Sequence, residues 1–145
     1  MQRVRYLKQG IKYLLLYLVG ASSYYLLETL WRGYSHLSMF ILGGLCFLLI
    51  GLIGEHYFKS HRHLIKQMLI SSLIITILEL AFGLVVNVRM GLGVWDYTSL
   101  RFNFMGQISL IFTVFWFFLS LPAIFFYDYM RYWLFGEERP GYKLI

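Results

Sequence analysis

The sequence predicts an all-α membrane protein, a bundle of four transmembrane helices that forms a single domain over residues 1–145. Three observations lead to this prediction. Hydrophobic residues make up 59% of the chain and charged residues only 14%, whereas a soluble domain carries about 25% charged residues. Four apolar runs are each long enough to cross a bilayer, which takes about 20 residues. Basic residues lie at the ends of these runs, where they orient a membrane protein.

The four predicted helices follow the apolar runs in order. They are expected at about residues 11–31, 38–56, 64–87 and 105–135. The single cysteine, Cys46, lies within the second run and is expected to be a buried packing residue. In the long fourth run, Pro122 is expected to kink the helix or to divide a membrane-spanning part from an interfacial part. Helices are the expected form because lipid offers no hydrogen-bond partners to open backbone groups.

The distribution of Lys and Arg predicts the orientation of the bundle. Ten of these residues lie in the N-terminal segment, the second connection and the C-terminal tail: Arg3, Arg5, Lys8, Lys12, Lys59, Arg62, Lys66, Arg131, Arg139 and Lys143. The other two connections carry three: Arg32, Arg89 and Arg101. Because positively charged loops stay inside, both termini are expected in the cytoplasm, with the protein in the cell (plasma) membrane. No small-residue cleavage site follows the first run, so we expect it to be retained rather than removed as a signal peptide.

Polar and small residues recur at helical spacing within the apolar runs. On the third helix they are Ser72, Thr76, Glu79, Gly83 and Asn87, and on the first Tyr17, Ala21, Tyr24, Glu28 and Arg32. The fourth carries a looser stripe of Gly106, Ser109, Thr113, Trp116 and Ser120. Residues three or four apart share one face of a helix, and small residues let helices approach closely. The stripes are therefore expected to face the interior of the bundle.

Helix packing alone does not explain Glu79. It precedes Asn87 by eight residues, which places it about 12 Å from the end of its helix at 1.5 Å per residue. An ionised carboxylate at such a depth costs about 2.5–3.5 kcal/mol on insertion scales, so it has to be paired, protonated or hydrated. Glu28 lies one turn before Arg32, at a spacing that permits an ion pair. Arg32 and His36 are the nearest candidates in the sequence to neutralise both acids.

Two connections are expected on the outer side of the membrane, the one between the first and second helices and the one between the third and fourth. Their polar residues complete a candidate site at the outer membrane surface. An ionisable cluster within a membrane is by default a candidate functional site. The candidate substrate-binding residues are Glu28, Trp31, Arg32, His36, Glu79, Asn87, Trp95, Asp96, Asn103 and Gln107. The alternative interpretation is an ion-pair network that only fixes the register of the helices.

The sequence predicts no cofactor, metal or nucleotide site. Glu55, His56, His61 and His63 lie close together, but their spacing fits no zinc pattern. A basic turn in contact with anionic lipid is expected there instead. The chain has no P-loop, no nucleophile elbow and no H-E-x-x-H motif. It also lacks a basic segment interleaved with exposed aromatic residues, so nucleic acid is not an expected partner.

Three segments carry a resemblance to a known family. They are ETLWRGYSHLSMFILGG (residues 28–44), Glu79 together with FGLVVN (residues 82–87), and VWDYTSLRFNFMGQISL (residues 94–110). These segments resemble the CmpB-like family of ABC-transporter type IV permeases, and the resemblance extends over about residues 15–120. It implies an integral membrane protein that serves as a transporter subunit. It supplies no catalytic residues.

Three functions remain open at this point. The first is a permease or transport-accessory subunit whose outward-facing polar pocket binds a cation or relays protons. Membrane lipids, a second copy of the chain and a separate ATPase subunit would then be its partners. The second is an enzyme acting on a lipid-linked substrate, with Glu79 or Asp96 as base, His36 as acid and Arg32 as phosphate clamp. The third is a non-catalytic scaffold that the polar cluster holds together.

Overall fold

The computed structural model describes the backbone of residues 2–58 and 63–145 and the side chains of residues 6–58 and 63–145. Lys59, His61 and Arg62, which belong to the predicted basic turn, lie outside these residues. The side chains of Arg3 and Arg5, which are counted for the orientation, lie outside them as well. Within the described part of the chain, the fold consists of four long helices, one short π-helix and a small β-ribbon. The prediction of an all-α bundle is therefore confirmed in its main features.

The helices are α1 (Gln2–Arg32), α2 (Leu37–Tyr57), α3 (Leu64–Gly83) and α4 (Leu110–Phe135). A π-helix, Leu84–Arg89, continues α3, and the two strands before α4 are β1 (Asn103–Phe104) and β2 (Ile108–Ser109), which pair antiparallel. All four long helices are long and apolar enough to cross a membrane. Large apolar side chains such as Leu30, Leu73 and Ile77 remain exposed on them. The protein is therefore a multi-pass membrane protein whose helices contact lipid.

Two helices begin at positions that differ from the predicted spans. α1 begins at Gln2 rather than near residue 11, because the polar N-terminal segment continues the helix. α4 begins at Leu110 rather than near residue 105, because the residues before it form the ribbon and its turn. In that turn Met105 and Gly106 both have positive φ angles, of 53° and 68°, which an α-helix does not allow. α4 also runs through Pro122 as one helix and is not divided there.

The bundle has two ends of different character. We call the end that carries residues 33–36 and 90–109 the loop end, and the end that carries residues 2–12 and 136–145 the terminal end. α1 packs mainly against α2, and α3 mainly against α4, whereas α1 and α4 make few contacts with each other. The fold is thus a pair of helical hairpins with a loosely packed seam between its first and last helices.

A cluster of charged and phenolic side chains closes the terminal end. It centres on Glu55 near the end of α2. The Oε1 atom of Glu55 accepts a hydrogen bond from the Tyr127 hydroxyl at 2.9 Å and lies 3.0 Å from Nε of Arg131 and 3.4 Å from Nζ of Lys12. The Tyr13 hydroxyl donates to Oε2 at 3.3 Å. One carboxylate thereby joins α1, α2 and α4.

The chain after α4 runs back across this cluster. Glu137 pairs with both Lys12 and Arg131. The backbone N–H of Leu64 donates to the carbonyl oxygen of Lys143 at 2.9 Å, which ties the tail to the start of α3. The tail therefore connects the two hairpins at the terminal end.

Gly51 of α2 is required where the ring of Tyr127 crosses it. A Cβ atom at residue 51 would overlap this ring, which is fully buried and fixed by its hydrogen bond to Glu55. Gly51→Ala is therefore expected to lower the free energy of unfolding by about 1–3 kcal/mol, as overpacking of a core does. The measurement is equilibrium unfolding of the purified protein in mixed micelles.

The matched control for this variant is Gly10→Ala in α1. A Cβ atom at residue 10 meets open space, so the higher helix propensity of alanine should leave stability unchanged or slightly raised. Equal stabilities of the two variants would contradict the close packing of Tyr127 on Gly51.

Glu137 makes the stability of the terminal end depend on pH. Partial burial alone would raise its pKa, but hydrogen bonds and charges from Lys12 and Arg131 outweigh this effect and hold the pKa below the ordinary value of 4.5. A lowered folded-state pKa stabilises the fold above the unfolded-state pKa, and this contribution is lost as the pH falls through the folded-state pKa. Glu137→Gln should therefore destabilise the protein at neutral pH by about 1 kcal/mol or less.

The measurement for this second prediction is the thermal unfolding midpoint in detergent across a pH series. The difference between wild type and Glu137→Gln should shrink as the pH falls below about 4.5. Glu138→Gln, which alters an exposed neighbour, should match wild type throughout. A difference that stays constant across the series would show that the Glu137 charge does not stabilise the fold.

Candidate functional site

The carboxylate of Glu79 lies in the interior of the loop-end half of the bundle. Only 2% of the residue is exposed. The Tyr97 hydroxyl donates a hydrogen bond to Oε1 at 2.8 Å, and Nε1 of Trp116 donates to Oε2 at 3.0 Å. Both donors are neutral groups, so the partners expected from the sequence, Arg32 and His36, are replaced here by two aromatic residues. The reason is that Glu79 faces α4 and the loop before it.

Tyr97 is held in place by its own contacts. Its ring stacks on Phe112 of α4, with the centroids 4.4 Å apart and the planes at 13°. Its backbone N–H donates to the carbonyl oxygen of Gly106 at 2.8 Å. Burial raises the pKa of the Tyr97 phenol, and the nearby Glu79 carboxylate raises it further. The phenol therefore stays protonated and remains a hydrogen-bond donor to Glu79.

Three of the predicted site residues form a hydrogen-bonded unit that we call the loop clasp: Asn87, Trp95 and Gln107. The Asn87 amide nitrogen donates to the Trp95 carbonyl oxygen at 3.1 Å and to Oε1 of Gln107 at 2.9 Å. Its Oδ1 accepts from the Val94 N–H at 2.7 Å, and Nε1 of Trp95 donates to the Gln107 carbonyl oxygen at 2.9 Å. The clasp fixes the loop that carries Tyr97 to the π-helix at the end of α3.

Asp96 and Asn103 shape the same loop from its outer side. Asp96 accepts hydrogen bonds from the N–H and the hydroxyl of Thr98, at 2.8 and 3.0 Å. The Asn103 amide donates to the Leu100 carbonyl oxygen at 2.7 Å and accepts from the Gly106 N–H at 3.0 Å. Short polar side chains commonly stabilise turns by such local bonds. Both residues thus order the turns of the loop.

Glu28 and Arg32 form the ion pair that their spacing predicts. Nη2 of Arg32 lies 3.1 Å from Oε1 of Glu28 and also donates to the Val94 carbonyl oxygen at 3.2 Å. The Ser35 hydroxyl donates to Oε2 of Glu28. The guanidinium stands over the ring of Tyr34, 4.9 Å from its centroid. Arg32 therefore connects the end of α1 with the loop that covers Glu79.

Trp31 and His36, the remaining predicted site residues, have other surroundings. Trp31 is 89% exposed on the surface of α1. His36 caps α2: its Nδ1 accepts from the Ser38 N–H at 3.1 Å and lies 2.8 Å from the Ser38 hydroxyl. The structure therefore brings together most of the ten predicted residues through the loop, and leaves Trp31 and His36 at the edge of the group.

A cavity of about 270 Å³ lies between the four helices, beside Glu79. We call it the lateral cavity. Leu27 of α1 and Phe126 of α4 line it and yet stay exposed on the bundle surface. The cavity therefore opens along the seam between α1 and α4, where the two helices make few contacts. Glu79 is the one charged residue in its otherwise mainly apolar lining, as far as the described residues show.

Tyr97 and Trp116, the partners of Glu79, are not among the predicted site residues. One signal was available for Trp116, which belongs to the polar stripe of the fourth predicted helix although its side chain is large. Tyr97 follows Asp96 directly but offers no such signal, because only the fold of the loop brings it to a residue 18 positions earlier.

The chain is similar to one known protein family over most of its length. A family model described as "Putative ABC-transporter type IV" matches residues 11–138. The match includes α2, α3 and α4, the loop clasp, and the ion pair of Glu28 and Arg32. Searches of curated proteins and of solved structures gave no match. Because the family match spans most of the chain and confirms the resemblance carried by its polar segments, the protein belongs to the family described as "Putative ABC-transporter type IV".

Proposed function

We propose that the protein is a permease or a transport-accessory subunit whose substrate site is centred on Glu79. One observation carries this proposal: a carboxylate within the transmembrane bundle forms part of the wall of a cavity that opens between two helices. A carboxylate has about four acceptor positions, and Tyr97 and Trp116 occupy two of them. Glu79 thus keeps acceptor capacity for a bound group. Costly ionisable residues inside membranes commonly mark substrate or ion pathways.

The other predicted site residues support Glu79 in this proposal. The loop clasp holds Tyr97 above the carboxylate, and Asp96 and Asn103 order the turns of that loop. Glu28 and Arg32 attach the loop to α1. We assign these residues the role of positioning the site, with direct substrate contact at Glu79.

Binding and transport fit the geometry better than catalysis on a lipid-linked substrate. The proposed acid, His36, uses Nδ1 to cap α2. The proposed phosphate clamp, Arg32, already pairs with Glu28 and with the Val94 carbonyl oxygen. The donors on Glu79 are Tyr97 and Trp116. The residues proposed as acid, base and phosphate clamp therefore belong to three separate sets of contacts.

We further propose that the loop end faces the outside of the cell membrane and the terminal end faces the cytoplasm. The ratio of ten basic residues to three in the sequence supports this orientation. A separate ATPase subunit would then bind at the terminal end. Four helices form a thin wall for a transport pathway, so a second copy of the chain or another membrane subunit would complete it.

Glu79→Gln tests the site with little change in shape. A glutamine Oε1 can still accept from Trp116, and the Tyr97 hydroxyl can turn to accept from the new amide. The variant is therefore expected to fold and to lose the charge alone. In a strain that lacks the gene, wild type should restore the altered phenotype. Glu79→Gln at equal membrane abundance should restore roughly a tenth of it or less, because loss of the charge removes an interaction with the bound substrate.

Glu138→Gln serves as the matched control, because it removes an exposed carboxylate from the tail. It should restore the phenotype fully. A scaffold would behave differently: rescue by Glu79→Gln would then follow the amount of folded protein and nothing else. Full rescue by Glu79→Gln would rule out a transport site that uses this charge.

A further inference from the structure

The lateral cavity is accessible from the bilayer rather than from the water at the loop end. Over Glu79, the loop clasp and Tyr97 form a cover in which Trp95 and Gln107 are buried. Toward the lipid, the seam between Leu27 and Phe126 stays open. A molecule that reaches Glu79 in this structure therefore comes from within the membrane, along the surface of α1 and α4.

The charges around the cavity select the head group of such a molecule. Glu79 contributes an acid to the lining, and the described lining residues include no Lys, Arg or His. Arg32, a cation of the wider site, already pairs with Glu28 and donates to the Val94 carbonyl oxygen. An anionic head group would meet a carboxylate without a compensating cation. A cationic head group would gain an ion pair in a site of low dielectric.

Two aromatic rings beside Glu79 favour the same charge. Tyr24 and Trp116 both line the cavity, with their ring centroids 6.2 Å apart at an interplanar angle of 50°. Aromatic faces attract cations, and the attraction grows when the cation is desolvated. Carboxylate and rings together form the set of groups that recognises an ammonium ion.

The remainder of the cavity suits an apolar chain. Apart from Glu79 and a few small polar groups, its walls are aliphatic and aromatic, as at Leu42 and Ile50. An apolar cavity of about 150 Å³ stays dry and accepts a benzene ring, so 270 Å³ admits part of an alkyl chain. The open seam lets a longer chain extend into the bilayer.

We propose that the lateral cavity binds a lipophilic amine, with its protonated amino group on Glu79 and its alkyl chain passing out between α1 and α4. This inference rests on the proposed function for its biological meaning, since it names the substrate class of the same site. Binding itself can be measured without transport, so the two proposals can fail separately.

The test is photo-crosslinking of the full chain in bilayer discs of zwitterionic lipid. The probes are dodecylamine, dodecanol and dodecanoate, each with a diazirine in the chain. Labelling is mapped by mass spectrometry and normalised to the lipid-facing residues Leu73 and Ile77, which are well exposed. The amine should label the cavity residues of α2 and α4 roughly tenfold more than either other probe, a ratio equivalent to about 1.4 kcal/mol.

Glu79→Gln should reduce amine labelling to the level of the alcohol and leave alcohol labelling unchanged. The unchanged alcohol labelling shows that the cavity persists. Glu138→Gln should label like wild type. If Glu79→Gln loses alcohol labelling too, competition on the wild-type protein decides the question: unlabelled dodecylamine should displace the amine probe roughly tenfold better than dodecanol.

Equal labelling by the three probes would overturn the proposal, because the cavity would then accept any alkyl chain. Amine labelling confined to residues outside the cavity would overturn it as well. Selective amine labelling together with full rescue of the deletion strain by Glu79→Gln would uphold amine binding and refute the proposed transport function. Loss of rescue by Glu79→Gln without selective amine labelling would refute amine binding and uphold the proposed transport function.

Discussion

The burial of one carboxylate, that of Glu79, governs the loop-end half of the molecule. A carboxylate removed from water needs partners within the protein, since lipid supplies none. Tyr97 and Trp116 provide them. Tyr97 reaches Glu79 only when its loop is fixed, and the loop clasp and the stacking on Phe112 fix it. The loop structure thus follows from the need to supply hydrogen-bond donors to a carboxylate that α3 places in the interior.

The two ends of the bundle stabilise buried charge in different ways. At the terminal end, Glu55 combines the cations Lys12 and Arg131 with tyrosine hydroxyls. At the loop end, Glu79 has neutral donors and Glu28 has Arg32. The cavity lies between these ends, where the helices carry few charged groups. Strong contacts at both ends allow α1 and α4 to stay apart near the middle without loss of the fold.

Local features of this protein could be predicted from the sequence, and long-range ones could not. Helix periodicity and the four-residue spacing of Glu28 and Arg32 depend on near neighbours, so the four helices and this ion pair are confirmed. The donors to Glu79 lie 18 and 37 positions away, and only the fold brings them there. His36 is near Glu28 in the sequence, which predicts that it neutralises the acids, but a local bond from the Ser38 N–H makes it a helix cap.

The division into two hairpins bears on how the chain enters the membrane during synthesis. Within the first hairpin, Glu28 is neutralised by Arg32 and Glu55 by Lys12. Within the second, Glu79 finds both donors in segments that follow it in the chain. Each hairpin can therefore leave the translocon with an ion-pair or hydrogen-bond partner already present for each of these carboxylates. The two hairpins can then associate within the membrane in a second step, as in two-stage assembly. The two units meet mainly through α2, which packs against both α3 and α4, and the seam that stays open to lipid lies at the other side of this boundary, between α1 and α4.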